Sequence, residues 1–203
     1  MKQTSASDNN RYPMYCYFAS KNDSEFAKFK QNPVYNAILE HVSPQQGVDY
    51  LKKIFESNEL HLSTKDWEYI LRNDSIGSPR VVQYNFGNSQ LVCSPTTLRY
   101  VKVLADLLRL FPESLLRGGV SEIGIGYGGQ CRILMNALPI NQYNLVDLPE
   151  VLSLAERFLT ELDVKGNIRY IDGTHLYHDA PCGFVHQQLR FFRACQTRAR
   201  HLH

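Results

Sequence analysis

The residues best placed to do chemistry are Ser121-Glu122-Ile123-Gly124-Ile125-Gly126-Tyr127-Gly128-Gly129-Gln130. An apolar run holding one carboxylate leads into four glycines within six positions, and a helical pattern follows. A loop with so few side chains lets backbone N–H groups approach a ligand, and the next helix turns its positive end to the same place. This is the chemistry of a nucleotide-like cofactor site. Gly124, Gly126 and Gly129 satisfy G-x-G-x-x-G, and Asp147 stands at the end of the next expected strand, where a carboxylate can accept ribose hydroxyls. The pattern alone serves a nicotinamide dinucleotide as well as another nucleoside. Glu122, two residues before the first glycine, separates them. A carboxylate there suits a ligand carrying an ammonium and a sulfonium, and would repel a pyrophosphate.

The elements that must position these residues are legible in the spacing. From about Ser24 to Asp74 the signals are helical. Pro33 opens a segment with Tyr35, Ile38, Leu39 and Val42 on one face. Ser43-Pro44 caps a helix with Val48, Leu51, Ile54 and Phe55 as its apolar stripe, and Ser63 caps another with Trp67, Ile70 and Leu71 inward. Asn73 to Pro79 is a turn-rich connector. Val81–Asn85 and Gln90–Cys93 predict a hairpin across Phe86-Gly87-Asn88. Ser94-Pro95 caps a long helix carrying Leu98, Val101, Leu104, Ala105, Leu108 and Phe111 at helical spacing. After Gly118-Gly119 the pattern becomes strand 120–125, helix 129–138, strand 143–148, helix 149–162 and strand 168–172. That order predicts a parallel sheet with right-handed crossovers.

Glu122-x-Gly124-x-Gly126-x-Gly128 resembles the first motif of S-adenosylmethionine-dependent methyltransferases, and Asp147-Leu148-Pro149 resembles the ribose-binding element of small-molecule O-methyltransferases. Joined by Ser94-Pro-Thr-Thr-Leu-Arg-Tyr100 and Asn73-Asp-Ser-Ile-Gly-Ser-Pro79, these motifs resemble the sugar O-methyltransferase family over roughly residues 33 to 175. The resemblance implies an α/β fold: a Rossmann-like class I methyltransferase core, here an incomplete parallel sheet, preceded by a helical N-terminal subdomain. It implies S-adenosyl-L-methionine as cofactor and the hydroxyl of a small-molecule or glycan sugar as acceptor, in surface polysaccharide or glycan synthesis. It assigns the cofactor to Glu122, Gly124, Gly126, Tyr127, Gly128, Gly129, Asp147, Leu148 and Asp172, and turns Asn73, Asp74, Arg99 and Tyr100 towards the substrate. Each has a plainer reading. Tyr127 covers the cofactor or anchors the loop. Arg99 and Tyr100 touch ligand or pack between cap and core. Asp172 reaches the nucleoside or ends a strand, and Asn73 and Asp74 reach substrate or terminate a helix. No residue stands out as general base. The alternatives to methyl transfer are an NAD(P)-dependent oxidoreductase or epimerase on the same loop, or a non-catalytic remnant.

The composition bounds these readings. With 203 residues, 43% of them apolar, the chain can build one sizeable core. No run of 18 apolar residues exists, so no membrane span is expected, and the polar opening, Met1 to Asn10, does not read as a secretory signal. Five cysteines without CxxC spacing fit reduced thiols in a cytoplasmic protein better than disulfides or zinc. His41, His61, His175 and His178 lack metal-ligand spacing and read as surface residues; no metal is expected. The net charge of +2 comes from the four arginines of residues 186–203; without them 18 basic side chains face 20 acidic ones. No nucleic-acid-binding face is therefore expected. The segments read as a leader over 1–12, a mainly helical region over 13–117, a partial methyltransferase core over 118–185 and a basic tail over 186–203. Codons compatible with His186–Arg193, read one base later, can encode Ile-Ser-Asn-Tyr-Ala-Phe-Ser-Glu, which resembles the fourth strand the family requires. The tail is therefore expected to be out of frame and the core truncated, with apolar faces left exposed and activity in question. The other reading is a natural basic extension.

Overall fold

In a computed structural model, the structure describes residues 10–86 and 89–175. Helix α1 (Arg11–Lys21) buries Tyr12, Cys16 and Ala19 and begins inside the stretch expected to be a leader. Sequence periodicity misses it because Met14, Tyr17 and Phe18 stand 68%, 51% and 50% exposed, leaving no polar face, and Asn10 supplies no side-chain cap. Two short helices follow, α2 (Asp23–Phe26) capped by Asn22 and α3 (Pro33–Asn36) capped by Asn32. The segment opened by Pro33 thus stays helical for a single turn, and Ile38 and Leu39 continue it as a turn.

Helix α4 (Pro44–Phe55) and helix α5 (Thr64–Leu71) each start with a reciprocal capping box, Ser43 with Gln46 and Ser63 with Asp66. Leu51, Ile54 and Ile70 are buried, whereas Phe55, expected on the inner stripe, is 53% exposed. A 3-10 turn over Arg72–Ser75 leads to strands β1 (Val82–Phe86) and β2 (Ser89–Cys93), paired antiparallel with Val82 opposite Cys93. Ser94 caps α6 (Pro95–Leu110), whose Leu98, Val101, Leu104 and Ala105 are buried as their spacing requires.

A short helix α7 (Glu113–Leu116) precedes the alternating half: β3 (Gly119–Ile123), α8 (Gly129–Ala137), β4 (Gln142–Asp147), α9 (Pro149–Glu161) and β5 (Ile168–Asp172). The three strands form one parallel sheet in the order β3-β4-β5. The chain is therefore mixed α/β with a small parallel sheet. Ile123 pairs with Val146 and Asp147 with Asp172, so the glycine loop and both aspartates lie together at the carboxyl ends of the strands. Packing of α6 on α8, of α4 on α6 and of α1 on α9 joins the helical region to the sheet, and one buried cluster runs through both. The described cysteines, Cys16, Cys93 and Cys131, are free and buried. No described helix is long and apolar enough to cross a membrane. The basic tail, expected to be out of frame, and with it Cys182, Cys195 and His178, lie outside the described residues.

Candidate functional site

The glycine loop turns at Gly124, Gly126 and Gly128 with φ of +76°, +57° and +80°, a conformation other residues rarely adopt. Packing adds a second demand at Gly126, where a Cβ would stand 2.6 Å from Leu39 Cδ1. At Gly124 a Cβ would meet nothing within 4 Å, so the first turn of the loop faces open space. Gly128 is the N-cap of α8, and Gly129 begins it.

Two carboxylates stand at the strand ends beside this loop. Asp147 Oδ2 accepts the Ile125 N–H at 2.8 Å and Oδ1 accepts the Leu148 N–H at 2.8 Å. Burial raises its pKa against the pull of these N–H groups. Asp147 therefore pins the loop it was expected to serve. Glu122 is only 8% exposed, and its Oε2 accepts the Tyr143 hydroxyl at 2.7 Å. Burial pushes its carboxyl up to about 7, opposed by hydrogen bonds from Tyr143 and Gln130 and by the Arg99 charge, and reinforced by Asp147. Asp172 lies next to Asp147 in register, and its Oδ1 accepts the Thr174 N–H at 2.8 Å and hydroxyl at 2.6 Å.

The remaining expected residues divide. Tyr127 is fully buried, its ring 4.7 Å from Phe158, 5.7 Å from Phe29 and 6.0 Å from Tyr100, with Lys30 Nζ 4.1 Å from its centroid. Its ring anchors the loop from behind and does not cover the open side. Asn73, also fully buried, donates from Nδ2 to the Gly129 carbonyl at 3.0 Å and accepts from Arg132 Nη1 at 2.9 Å. Asp74 accepts the Ser94 N–H at 2.6 Å and the Ser94 and Thr97 hydroxyls at 2.8 Å each, fastening the start of α6. These two residues brace the starts of α8 and α6. Arg99 and Tyr100 pack beside Tyr127, whose ring is 6.0 Å from that of the buried Tyr100. The guanidinium carbon lies 5.3 Å from the Tyr100 ring centroid, and burial pushes that phenol up to about 12, with Arg99 opposing the shift and Glu40 and Glu122 adding to it.

Glu40 is the residue the sequence did not single out. Its Oε2 accepts the Thr96 hydroxyl at 3.0 Å, while Oε1 is buried with no hydrogen-bond partner. Burial raises its pKa, and the Lys30 and Arg99 charges oppose the shift. It follows Leu39, which rests on Gly126, so the turn after α3 carries a half-satisfied carboxylate to the loop. Helix α1 closes another side: the Tyr12 and Cys16 pKa values are raised, chiefly by burial and further by the Asp147 charge. No spacing signal marks Glu40 or Tyr12, because both reach the site through tertiary packing.

The assembled groups suit a cationic nucleoside. Glu122 and Glu40 offer negative charge to a cation, Asp147 offers lone pairs to hydroxyls, and Arg99 is the nearby cation for a carboxylate. A pyrophosphate fits poorly, since it would sit among carboxylates and find the Ile125 N–H already taken by Asp147. No protein-family model, no curated protein and no solved structure matches the chain.

Proposed function

We propose that the chain binds S-adenosyl-L-methionine and belongs to an O-methyltransferase acting on a sugar hydroxyl of a small molecule or glycan. The observation that carries this reading is Glu122, buried at the end of β3 beside Asp147 and a glycine loop whose first turn is open. When bound, the cofactor supplies a methyl group on a sulfonium. Glu122 would accept its ammonium, Arg99 would face its carboxylate, and Asp147 would take a ribose hydroxyl on the lone pairs its backbone N–H bonds leave. Tyr127 keeps the loop in shape, and Leu39 gives way where the ligand reaches Gly126. The sugar acceptor and a cytoplasmic location rest on the motif resemblance and the composition.

Calorimetric titration with S-adenosylhomocysteine and with NAD separates the readings. Binding of the first at micromolar concentration, with none of the second, is expected; tighter binding of NAD would return the loop to an oxidoreductase.

A further inference from the structure

Glu122 is a carboxylate in a place that disfavours charge. It is buried, and among the described residues no ion pair reaches it. What holds it is Tyr143, fully buried, whose hydroxyl donates to Oε2 at 2.7 Å. We infer that Tyr143 is a positioning residue of the glycine-loop site: its hydroxyl keeps the buried Glu122 able to ionise, and a cationic ligand binds there by displacing the carboxyl proton. The inference rests on the methyl-donor reading for the identity of that ligand, and goes beyond it in naming what controls the binding.

The sheet fixes this arrangement. Tyr143 stands opposite Val120 and Leu145 opposite Glu122, so the tyrosine lies on the same face, one diagonal step back along β4. The length of its side chain carries the hydroxyl to the carboxylate. β4 is the central strand, paired with β3 on one side and β5 on the other, and the Tyr143 N–H donates to the Asn167 carbonyl at 2.9 Å. The donor is therefore held in place by the backbone. Each element packed around Glu122 presents a group to it. Asp147 of β4 repels its charge, Gln130 of α8 donates to it, and Arg99 of α6 attracts it. Cys131 of α8 and Tyr100 of α6 face it as well, and burial keeps that thiol and both phenols neutral. Among the influences that favour the ionised form, the Tyr143 hydrogen bond outweighs the Arg99 charge. Burial outweighs them all and leaves the carboxyl titrating near 7. A protonated Glu122 is a poor seat for an ammonium and an ionised one a good seat. The arriving cation therefore selects the ionised form, and the proton goes to solvent.

Calorimetric titration of the full chain with S-adenosylhomocysteine in two buffers of different protonation heat, MES and imidazole, reads the proton directly. At about pH 6.5 roughly 0.8 proton should be released per ligand bound, and affinity should rise roughly tenfold from about pH 6 to about pH 8. Glu122→Gln should bind weakly, release no proton and show a level profile. Tyr143→Phe keeps the ring and removes only the donor. It should weaken binding roughly fivefold at about pH 7 and less than about twofold at about pH 8.5, because the ionisation of Glu122 moves to higher pH. A tyrosine that only fills space would cost the same at both, and that result overturns the inference. Binding by the parent without proton release overturns it too and leaves the methyl-donor reading standing, as does a pH profile that persists in Glu122→Gln. The parent and Glu122→Gln titrations decide the matter even where Tyr143→Phe does not fold. No binding at any pH sinks both readings.

Discussion

Two polar clusters of opposite sign flank the glycine loop, the rear one buried and the front one partly so. Behind it are cations: Lys30, 1% exposed, donates to the Asn73 carbonyl at 2.5 Å and lies over the Tyr127 and Phe158 rings. Arg132, fully buried, donates to the Tyr69 carbonyl at 2.7 Å and to Asn73 Oδ1, and stacks on the Tyr69 ring. In front are the carboxylates Glu122 and Asp147; Glu40, with an oxygen that nothing satisfies, lies between the two sides, its charge acting on Lys30 and on Tyr100. The rear cluster ties residues far apart in the chain to the start of α8, which is structural work, although Arg132 Nε and Nη2 find no hydrogen-bond partner there. The front cluster holds unspent acceptor capacity beside an open turn, which is what a ligand uses.

The largest effect should come from breaking the rear cluster at Asn73. Asn73→Ala removes a hydrogen bond to the Gly129 carbonyl and an acceptor from a buried guanidinium, at a cost of about 3 kcal/mol. That is a large share of the 5–15 kcal/mol that holds an ordinary domain together. Urea unfolding should show the loss. A loss below about 0.5 kcal/mol would mean the cluster does not brace α8.

The opposite signs of the clusters give stability an unusual pH profile. Glu122 titrates near 7 when folded against an ordinary 4.5, so the folded state holds its proton more tightly. Its contribution is complete below about 4.5 and is lost as pH rises through 7; Glu40 and Asp147 shift the same way. Lys30 titrates near 8 against an ordinary 10.5, because burial disfavours the ammonium. Its burial costs stability at every pH below 8, and the cost fades as pH rises towards 10.5. Each limb is worth up to about 3 kcal/mol. The melting temperature should therefore pass through a minimum between about pH 7 and 8. Glu122→Gln should flatten the acid limb and Lys30→Met the alkaline one. A level profile in both variants and parent would refute the assignment of charge to the two sides.

Ligand affinity should then separate the clusters. Glu122→Gln keeps an acceptor for the Tyr143 hydroxyl, so stability at pH 8 should hold or rise. Binding of S-adenosylhomocysteine should weaken by about 2 kcal/mol, or roughly thirtyfold, because a charge-assisted contact to its ammonium is gone. Equal affinity in parent and variant would remove Glu122 from the site.

The sequence exposes the front cluster better than the rear one, for a physical reason. Glu122, the glycines and Asp147 are spaced along a strand–loop–helix unit whose geometry is local, and the caps at Ser43, Ser63 and Ser94 are local as well. Asn73 looks like a turn residue and Tyr127 like a loop side chain until packing drives both inward. Lys30 gives no hint of burial, since isolated lysines belong on surfaces. Helix α1 is hidden by apolar residues on every side, and Glu40 by the fact that its neighbours Thr96 and Arg99 come from another helix. The alternating half from β3 to β5 was readable to within a few residues at each end; what covers it was not.

Leu39 tests the boundary between the clusters with the smallest perturbation. It is half-buried, and it rests where a Cβ on Gly126 would stand. A ligand that approaches that glycine has to move it, so part of the binding free energy goes into displacing an apolar contact. Leu39→Ala removes the obstacle and costs stability about 1 kcal/mol, less than a full core truncation because the side chain is already half in water. Affinity for S-adenosylhomocysteine should rise roughly threefold. Gly126→Ala is the reciprocal change: it forces a Cβ into Leu39 at φ +57° and should lower stability and affinity together. If Leu39→Ala weakens binding instead, the side chain is part of the ligand's floor and the turn after α3 belongs to the site as a wall. The sign of that one small change decides whether the cap yields to the ligand or helps to hold it.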